Sequence, residues 1–157
     1  DTGGFDTLPA NNYDLHPEWG RADFDRRHQF NLLGTYSTFW DLRVGAIFSL
    51  RSGIPYDITT GYDNNYDTAF NDRPPGVTRN TGNGPGFANL DLRCSKSFRL
   101  SDEHSDQRRL EVGVDAFNAL NHPNYRHFVG NITSPFFGRA HSAEPGRQLQ
   151  VSMKFKF

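Results

Sequence analysis

The sequence is poor in the features that mark several common classes of protein. It has one cysteine, Cys94, which excludes an internal disulfide framework and a cysteine-rich metal site. Its formal net charge of -1 creates no field that would attract nucleic acid, so no nucleic-acid partner is expected. It has no long apolar run, and therefore no candidate for a transmembrane helix. Since it also begins without an initiator methionine or an apolar signal segment, we expect it to be a piece of a longer protein.

Motifs for catalysis and cofactor binding are missing as well. No nucleophile elbow, Walker element or dinucleotide-binding glycine pattern occurs, and the six histidines lack the spacing of metal ligands. Asp63 to Asp67 resemble the start of a calcium loop, but Thr68 stands where such a loop requires glycine and Pro74 where it requires glutamate. We therefore expect no enzyme activity, no catalytic residue, no cofactor and no metal site, with a looser calcium site in residues 60–86 left open.

Aromatic residues and turn formers dominate what is present. Aromatic residues make up 14% of the chain, although the hydrophobic fraction is only 35% and the mean hydropathy is -0.72. A soluble core of this size would normally draw on more Leu, Ile and Val. Because Phe, Tyr and Gly suit strands and turns better than helices, the composition predicts an all-β protein.

The last stretch, residues 147–157, alternates without interruption between apolar and polar side chains. One face carries Leu149, Val151, Met153, Phe155 and Phe157, and the other carries Gln148, Gln150, Ser152, Lys154 and Lys156. Successive side chains of a strand point to opposite faces, so this pattern predicts a strand with one apolar and one polar face. Such a strand fits a wall between lipid and a watery lumen. An amphipathic strand covering a soluble core is the alternative.

Four earlier segments repeat this alternation, so about five strands are predicted. Their bounds are about 27–39, 42–59, 87–99, 109–120 and 147–157. Gly53 and Pro55 are expected to bend the second strand, because proline cannot donate to a ladder. Short connections at residues 40–41 and 101–108 alternate with long loops. The pattern predicts an antiparallel up-and-down meander, a segment of a transmembrane β-barrel with its short turns at one end and its long loops at the other.

Five short motifs carry a resemblance to a known family. They are Asn71-Asp72-Arg73-Pro74, Gly84-Pro85-Gly86-Phe87, Leu90-Asp91-Leu92-Arg93, Phe117-Asn118-Ala119-Leu120-Asn121-His122 and Phe137-Gly138-Arg139. In order and spacing they resemble the C-terminal barrel strands of TonB-dependent outer-membrane receptors, in particular the Oar-like branch. The resemblance covers nearly the whole chain from about Pro17 onward. It implies a parent barrel of about 22 strands with a plug and a TonB-contacting segment, of which residues 1–26 would be an extracellular loop segment and residues 27–157 the C-terminal part of the wall.

The resemblance also implies a function and partners. The parent would import a large solute, siderophore-, oligosaccharide- or peptide-like, with TonB coupling. Candidates for ligand contact are the loop residues Asp63, Asp67, Asp72 and Arg73. The terminal Phe157 is similar to the aromatic residue that the barrel-assembly machinery reads. Expected partners are outer-membrane lipid and the barrel-assembly machinery. TonB is expected to bind only through the missing N-terminal part. The expected location is the bacterial outer membrane. A passive porin, a small adhesin-like barrel and a soluble β-sandwich binding module remain alternatives.

Charges of both signs lie on the polar faces of the predicted strands. The predicted lumen-facing charge ladder comprises Arg43, Arg51, Asp91, Arg93, Glu111 and Asp115, followed by Lys154 and Lys156 on the last strand. If the third and fourth strands pair around residues 101–108, Arg93 falls near Asp115. Opposite charges on neighbouring strands stabilise their pairing. We therefore interpret the set as structural, with contact to a plug or a substrate as the alternative.

Overall fold

The computed structural model describes residues 8–100 and 108–157 of the protein. Its secondary structure is β, with one turn of 3-10 helix at His16–Glu18. Within the described ranges no helix is long and apolar enough to cross a membrane. Contacts divide the chain into two compact units. The sheet unit comprises the described parts of residues 29–51, 87–124 and 145–157, and the loop unit those of residues 1–28, 52–86 and 125–144.

Strands account for most of the regular structure. They are β1 Gln29–Ser37, β2 Leu42–Arg51, β3 Pro55–Tyr56, β4 Gly82–Asn83, β5 Phe87–Arg99, β6 Arg109–Phe117, β7 Tyr125–Phe128, β8 Ala140–Ala143 and β9 Gln148–Lys156. Five of them form one antiparallel sheet in the order β1-β2-β5-β6-β9, which confirms the predicted meander. The sheet is not closed, because β1 and β9 form its two edges. In the loop unit β3 pairs with β4 and β7 pairs with β8.

The two faces of the sheet differ in polarity, as the alternation predicted. Residues directly opposite each other on neighbouring strands share a face, so the register defines rows across the sheet. One mainly apolar row contains Tyr36, Val44, Cys94, Val114 and Val151. The adjacent row on the other face contains Thr35, Gly45, Arg93, Asp115 and Gln150. Each strand therefore contributes to both an apolar and a polar face.

Burial in the described residues is the reverse of that in a soluble protein. Most large side chains of the apolar face are exposed, that of Val151 to 73%, and others such as Phe48 and Leu90 are half-buried. Ala10 is the one buried hydrophobic residue in the described ranges. The buried polar residues there are Ser49, Asp72, Asn80, Ser95, Asp115, Asn118 and Asn124. Water would penalise so extended an apolar surface, whereas the hydrocarbon of a bilayer solvates it. The apolar face is therefore suited to lipid.

The second strand is shorter than predicted. The alternation predicts a strand over residues 42–59, but β2 ends at Arg51. The chain then enters the loop unit, where a Cβ on Gly53 would lie 1.8 Å from the Gly84 carbonyl oxygen. Pro55, which has no N–H to donate, begins the separate strand β3. The prediction of one long strand was wrong beyond Arg51, because close packing inside the loop unit redirects the chain.

The fourth predicted strand, residues 109–120, also ends early, at Phe117. Asn118 takes a left-handed conformation with φ 47°, which ends β6. Side chains then replace the missing strand beside β5. The Asn118 amide donates to Asp91 Oδ1 at 2.9 Å, and Asn124 both accepts from the amide and donates to the carbonyl oxygen of Ala88, each at 2.9 Å. The Asn124 side chain thus satisfies the backbone of Ala88 in the first part of β5 without a further strand.

The connections leave the sheet from opposite ends. Trp40 and Asp41 lie in the short turn between β1 and β2, with Asp41 at φ 57°. Most of the turn predicted at residues 101–108 lies outside the described residues. At the other end of the sheet the register places Gln29, Arg51 and Phe87 side by side, at the points where the chain passes between its two units.

The long loops come together in the loop unit. The Thr59 amide donates to the Gly130 carbonyl oxygen and the Ile132 amide donates to the Thr59 carbonyl oxygen, each at 3.0 Å. The N-terminal segment joins them, because Asn65 Nδ2 donates to the Ala10 carbonyl oxygen at 2.6 Å. Residues 8–28 therefore pack with the first of the two long loops, within the same compact unit.

Candidate functional site

One ion pair stands out on the polar face of the sheet. Register places Arg93 directly opposite Asp115, and 3.3 Å separates Arg93 Nη1 from Asp115 Oδ1. The Asp115 side chain is 11% exposed, but that of Arg93 is 53% exposed. The carboxylate is thus held within the sheet, while the guanidinium remains accessible.

The other members of the predicted ladder have separate environments. The Arg51 guanidinium lies over the Phe87 ring at 4.9 Å, and Asp91 accepts the hydrogen bond from the Asn118 amide. Glu111 lies opposite Ser97 and Lys154, and Arg43 opposite Ser37 and Ser95. Among the described residues the six predicted members make one ion pair, Arg93 with Asp115, and no continuous ladder. That these side chains face a lumen stays a prediction.

Sequence reasoning missed an apolar recess on the same face. Leu33, Ile47 and Phe117 line a recess of about 450 Å³ beside the Arg93–Asp115 pair. All three side chains are exposed although they lie on the polar face. Binding sites for small molecules commonly combine apolar walls with a few polar groups. The recess can therefore hold an apolar group next to a charged pair.

The loop candidates Asp63 and Asp67 are engaged in the loop itself. Asp63 Oδ1 accepts from the Asp67 amide at 3.1 Å, and Asp63 Oδ2 from the Thr68 amide at 2.9 Å. These bonds are local turn contacts typical of aspartate.

Two histidines, His127 and His141, stack with ring centroids 5.6 Å apart. In the described ranges no group of three or more His, Cys, Asp or Glu residues could hold a metal ion.

The other two loop candidates, Asp72 and Arg73, are enclosed by other residues of the loop unit. Asp72 is buried, and its Oδ2 accepts from the Asn64 amide at 2.6 Å. Arg73 is 5% exposed and lies between two carboxylates. Its Nε is 2.8 Å from Asp57 Oδ1, and its Nη2 donates to Glu18 Oε2 at 3.1 Å. This geometry gives Asp72 and Arg73 structural roles, because their polar atoms already have partners within the protein.

Hydrogen bonds determine the ionisation of this network. Burial alone would raise the pKa of Glu18, but hydrogen bonds from Arg73 and from the Ala10 amide outweigh it and lower that pKa. Burial alone would lower the pKa of Arg73, but hydrogen bonds to Asp57 and Glu18 raise it. Both side chains therefore stay charged at neutral pH. Sequence spacing gives no signal for the pairing of Glu18 with Arg73, since a long stretch of chain separates them.

The terminal aromatic residue lies just beyond β9. Phe157 is 97% exposed, and its ring stacks on that of Phe155 at 6.0 Å between centroids. Both rings belong to the apolar alternation of the last strand. Their exposure leaves the end of the chain accessible, and recognition by an assembly machinery stays a prediction.

The fold defines the class of the protein. A sequential antiparallel sheet with an exposed apolar face and a polar opposite face is the wall of a membrane barrel. A family model described as an outer membrane beta barrel domain matches residues 75–150, just under half of the chain. Neither the curated proteins nor the solved structures gave a match. The chain is an all-β segment of an outer-membrane β-barrel, and its location is the bacterial outer membrane.

Proposed function

We propose that the chain forms the C-terminal part of the wall of a TonB-dependent outer-membrane receptor. The receptor takes up a siderophore-, oligosaccharide- or peptide-like solute that is too large for a porin. The short motifs support this identity, in particular Asn71-Asp72-Arg73-Pro74 and Phe117-Asn118-Ala119-Leu120-Asn121-His122. Both have defined structural roles, the first at the centre of the loop unit and the second at the end of β6.

The loop unit is the observation that carries the proposal. Three segments far apart in sequence join into one compact body. The buried guanidinium of Arg73 links residues 52–86 to Glu18, and backbone hydrogen bonds of Thr59 link them to Gly130 and Ile132. A passive channel works best with an unobstructed mouth, whereas a receptor for a large solute needs an ordered surface that recognises it. A compact, cross-linked set of loops favours the receptor. The apolar recess beside Arg93 and Asp115 offers a second contact for the solute on the polar face.

The proposed partners follow from the separate surfaces. Outer-membrane lipid contacts the apolar face, which includes Leu149, Val151 and Met153. The barrel-assembly machinery recognises Phe157, and TonB acts through a part of the receptor outside this chain. We propose no chemical reaction for the chain.

The alternatives have less support. A soluble β-sandwich needs its apolar sheet face packed and dry, but the apolar side chains of β9 are exposed. A passive porin or a small adhesin-like barrel shares the wall and differs in function. Neither alternative accounts for the order of the five family motifs along the chain.

Conductance and TonB binding together test the proposed function. The full gene product, purified in detergent, is inserted into planar lipid bilayers and is also mixed with the purified periplasmic domain of TonB. The proposal expects no steady open channel and a saturable complex with the TonB domain. Long-lived open channels without TonB binding would establish the porin alternative and refute the receptor.

A further inference from the structure

The loop unit contains a recess of about 410 Å³ whose lining is rich in hydrogen-bond donors. Cationic side chains there are Arg21, Arg27 and Arg79, and hydroxyl groups come from Ser52, Thr78 and Thr81. Within the described ranges no carboxylate lines the recess. Guanidinium groups and hydroxyls together match the oxygens of carboxylate and phosphoryl groups.

Hydrogen bonds fix one wall of the recess. The Ser52 amide donates to the His28 carbonyl oxygen at 2.9 Å, and the His28 amide donates to Ser52 Oγ at 3.1 Å. Beside them, Arg26 Nη1 donates to the Ser52 carbonyl oxygen at 3.0 Å. The backbone that presents Arg27 is therefore held between two anchored residues.

The opposite wall is equally constrained. Asn80 is buried, and its Nδ2 donates to the Arg21 carbonyl oxygen at 2.7 Å and to Asp23 Oδ1 at 2.6 Å. The Arg79 amide donates to the Pro17 carbonyl oxygen at 2.8 Å. Gly20 is needed for this close approach, since a Cβ on it would lie 2.1 Å from the Arg79 carbonyl oxygen. Because these contacts already order the backbone around the recess, binding of a ligand loses little conformational entropy of the protein, which favours affinity.

The three arginines differ in how far the protein already neutralises them. Arg21 Nε is 2.8 Å from Asp25 Oδ2, and Arg79 lies 3.5 Å from Asp23. Arg27 is exposed, and the described residues supply it with no hydrogen bond or ion pair. The net cationic character of the recess therefore comes mainly from Arg27, with the other two guanidiniums as oriented donors.

We propose that this recess binds an oxyanion, a carboxylate or phosphoryl group carried by a dissolved molecule, with Arg27 as the principal cation. The hydroxyls of Thr78 and Thr81 complete the donor set. Binding itself does not depend on the proposed import. The further assignment of the recess to the imported solute rests on that function. Anionic lipid headgroups offer the same chemistry, so the experiment separates the two sources.

Titration calorimetry of the full gene product in non-ionic detergent tests the site, with citrate and inorganic phosphate as probes. Wild type is expected to bind citrate saturably, and Arg27→Gln to weaken the association at least about tenfold, since it removes a charge-assisted contact. The matched control is Arg126→Gln, which changes an exposed arginine of the same unit, paired with Glu144 at 3.0 Å and outside the recess. This control is expected to bind as wild type does.

Three results would overturn the proposal: no saturable binding of either probe, wild-type affinity in Arg27→Gln, or an equal loss in Arg126→Gln. Repeating the citrate titration in phosphatidylcholine vesicles with and without phosphatidylglycerol separates the sources. Unchanged affinity supports a dissolved ligand, and competition by phosphatidylglycerol would reassign the recess to lipid headgroups. Citrate binding by a protein that does not bind TonB would refute the import function and leave the oxyanion site intact.

Discussion

Replacing Val151 by arginine tests whether the apolar face of the sheet contacts lipid. Val151 lies on β9, a strand of nine residues, and is 73% exposed on the apolar face. A strand of that length extends over about 30 Å, and a tilt of about 45° reduces its span across the membrane to about 20 Å. Because Val151 is close to the middle of the strand, it falls near the centre of an apolar band about 25 Å tall.

The expected cost follows from this depth. An arginine on the lipid face costs about 2–4 kcal/mol at the bilayer midplane and almost nothing near the interfaces. Val151→Arg should therefore lower the folding equilibrium constant by roughly 30- to 1,000-fold. The matched control is Gln150→Arg, one residue away on the polar face and directly opposite Asp115. It should change the free energy of unfolding by less than about 0.5 kcal/mol.

Urea titration provides the measurement. The full gene product is folded into phospholipid vesicles, and the folded fraction is read from its electrophoretic mobility without heating. Equal destabilisation by the two arginines would refute the assignment of faces. A larger loss in Gln150→Arg would reverse it, with lipid on the face now assigned as polar.

Three further predictions concern the polar contacts of the two units. Glu18→Gln removes one of the two carboxylate partners of Arg73 and should destabilise the loop unit by roughly 1–3 kcal/mol, read from amide hydrogen exchange, whereas Glu144→Gln in an exposed pair should cost under about 1 kcal/mol. Because the folded state lowers the pKa of Glu18, its stabilising contribution is present above the ordinary value of 4.5 and is lost as pH falls through the lower folded pKa. Protection factors of the loop-unit amides, which remove the intrinsic pH dependence of exchange, should therefore fall on acidification, less so in Glu18→Gln; the same fall in both would contradict the reasoning. Asn124→Ala should lower the free energy of unfolding by about 1–3 kcal/mol and expose the Ala88 amide to hydrogen exchange. Retained protection of that amide would show that it has another hydrogen-bond partner.

The sheet could be predicted from the sequence because its environment imposes a simple rule. Each strand alternates with a period of two residues, and most apolar side chains mark the same face, with exceptions such as Leu33, Ile47 and Phe117. The register between β5 and β6 followed from the placement of the turn between them, and it brought Arg93 opposite Asp115. Local exceptions set the errors in length: the packing of Gly53 shortened the second strand, and the left-handed Asn118 shortened the fourth.

The loop unit could not be predicted in the same way. Its central contacts join residues that no periodic pattern connects, as in the pairing of Arg73 with Glu18 and Asp57. A charged residue in a long polar loop suggests a solvent-facing ligand contact, which is why Arg73 and Asp72 were candidates. Both are instead enclosed by partners within the unit. The basic recess around Arg27 escaped prediction for the same reason, since its walls come from segments distant in sequence.

The two units consequently depend on different interactions. The sheet leaves most of its apolar side chains exposed, so the hydrogen bonds of its ladders hold the described strands together, and we expect lipid to cover its apolar face. The loop unit has little buried apolar surface, and hydrogen bonds and ion pairs among groups such as Asp57, Arg73 and Asn80 hold it together. Such contacts respond to pH, whereas burial of apolar surface does not. A change in membrane thickness should therefore act first on the sheet, and acidification first on the loops.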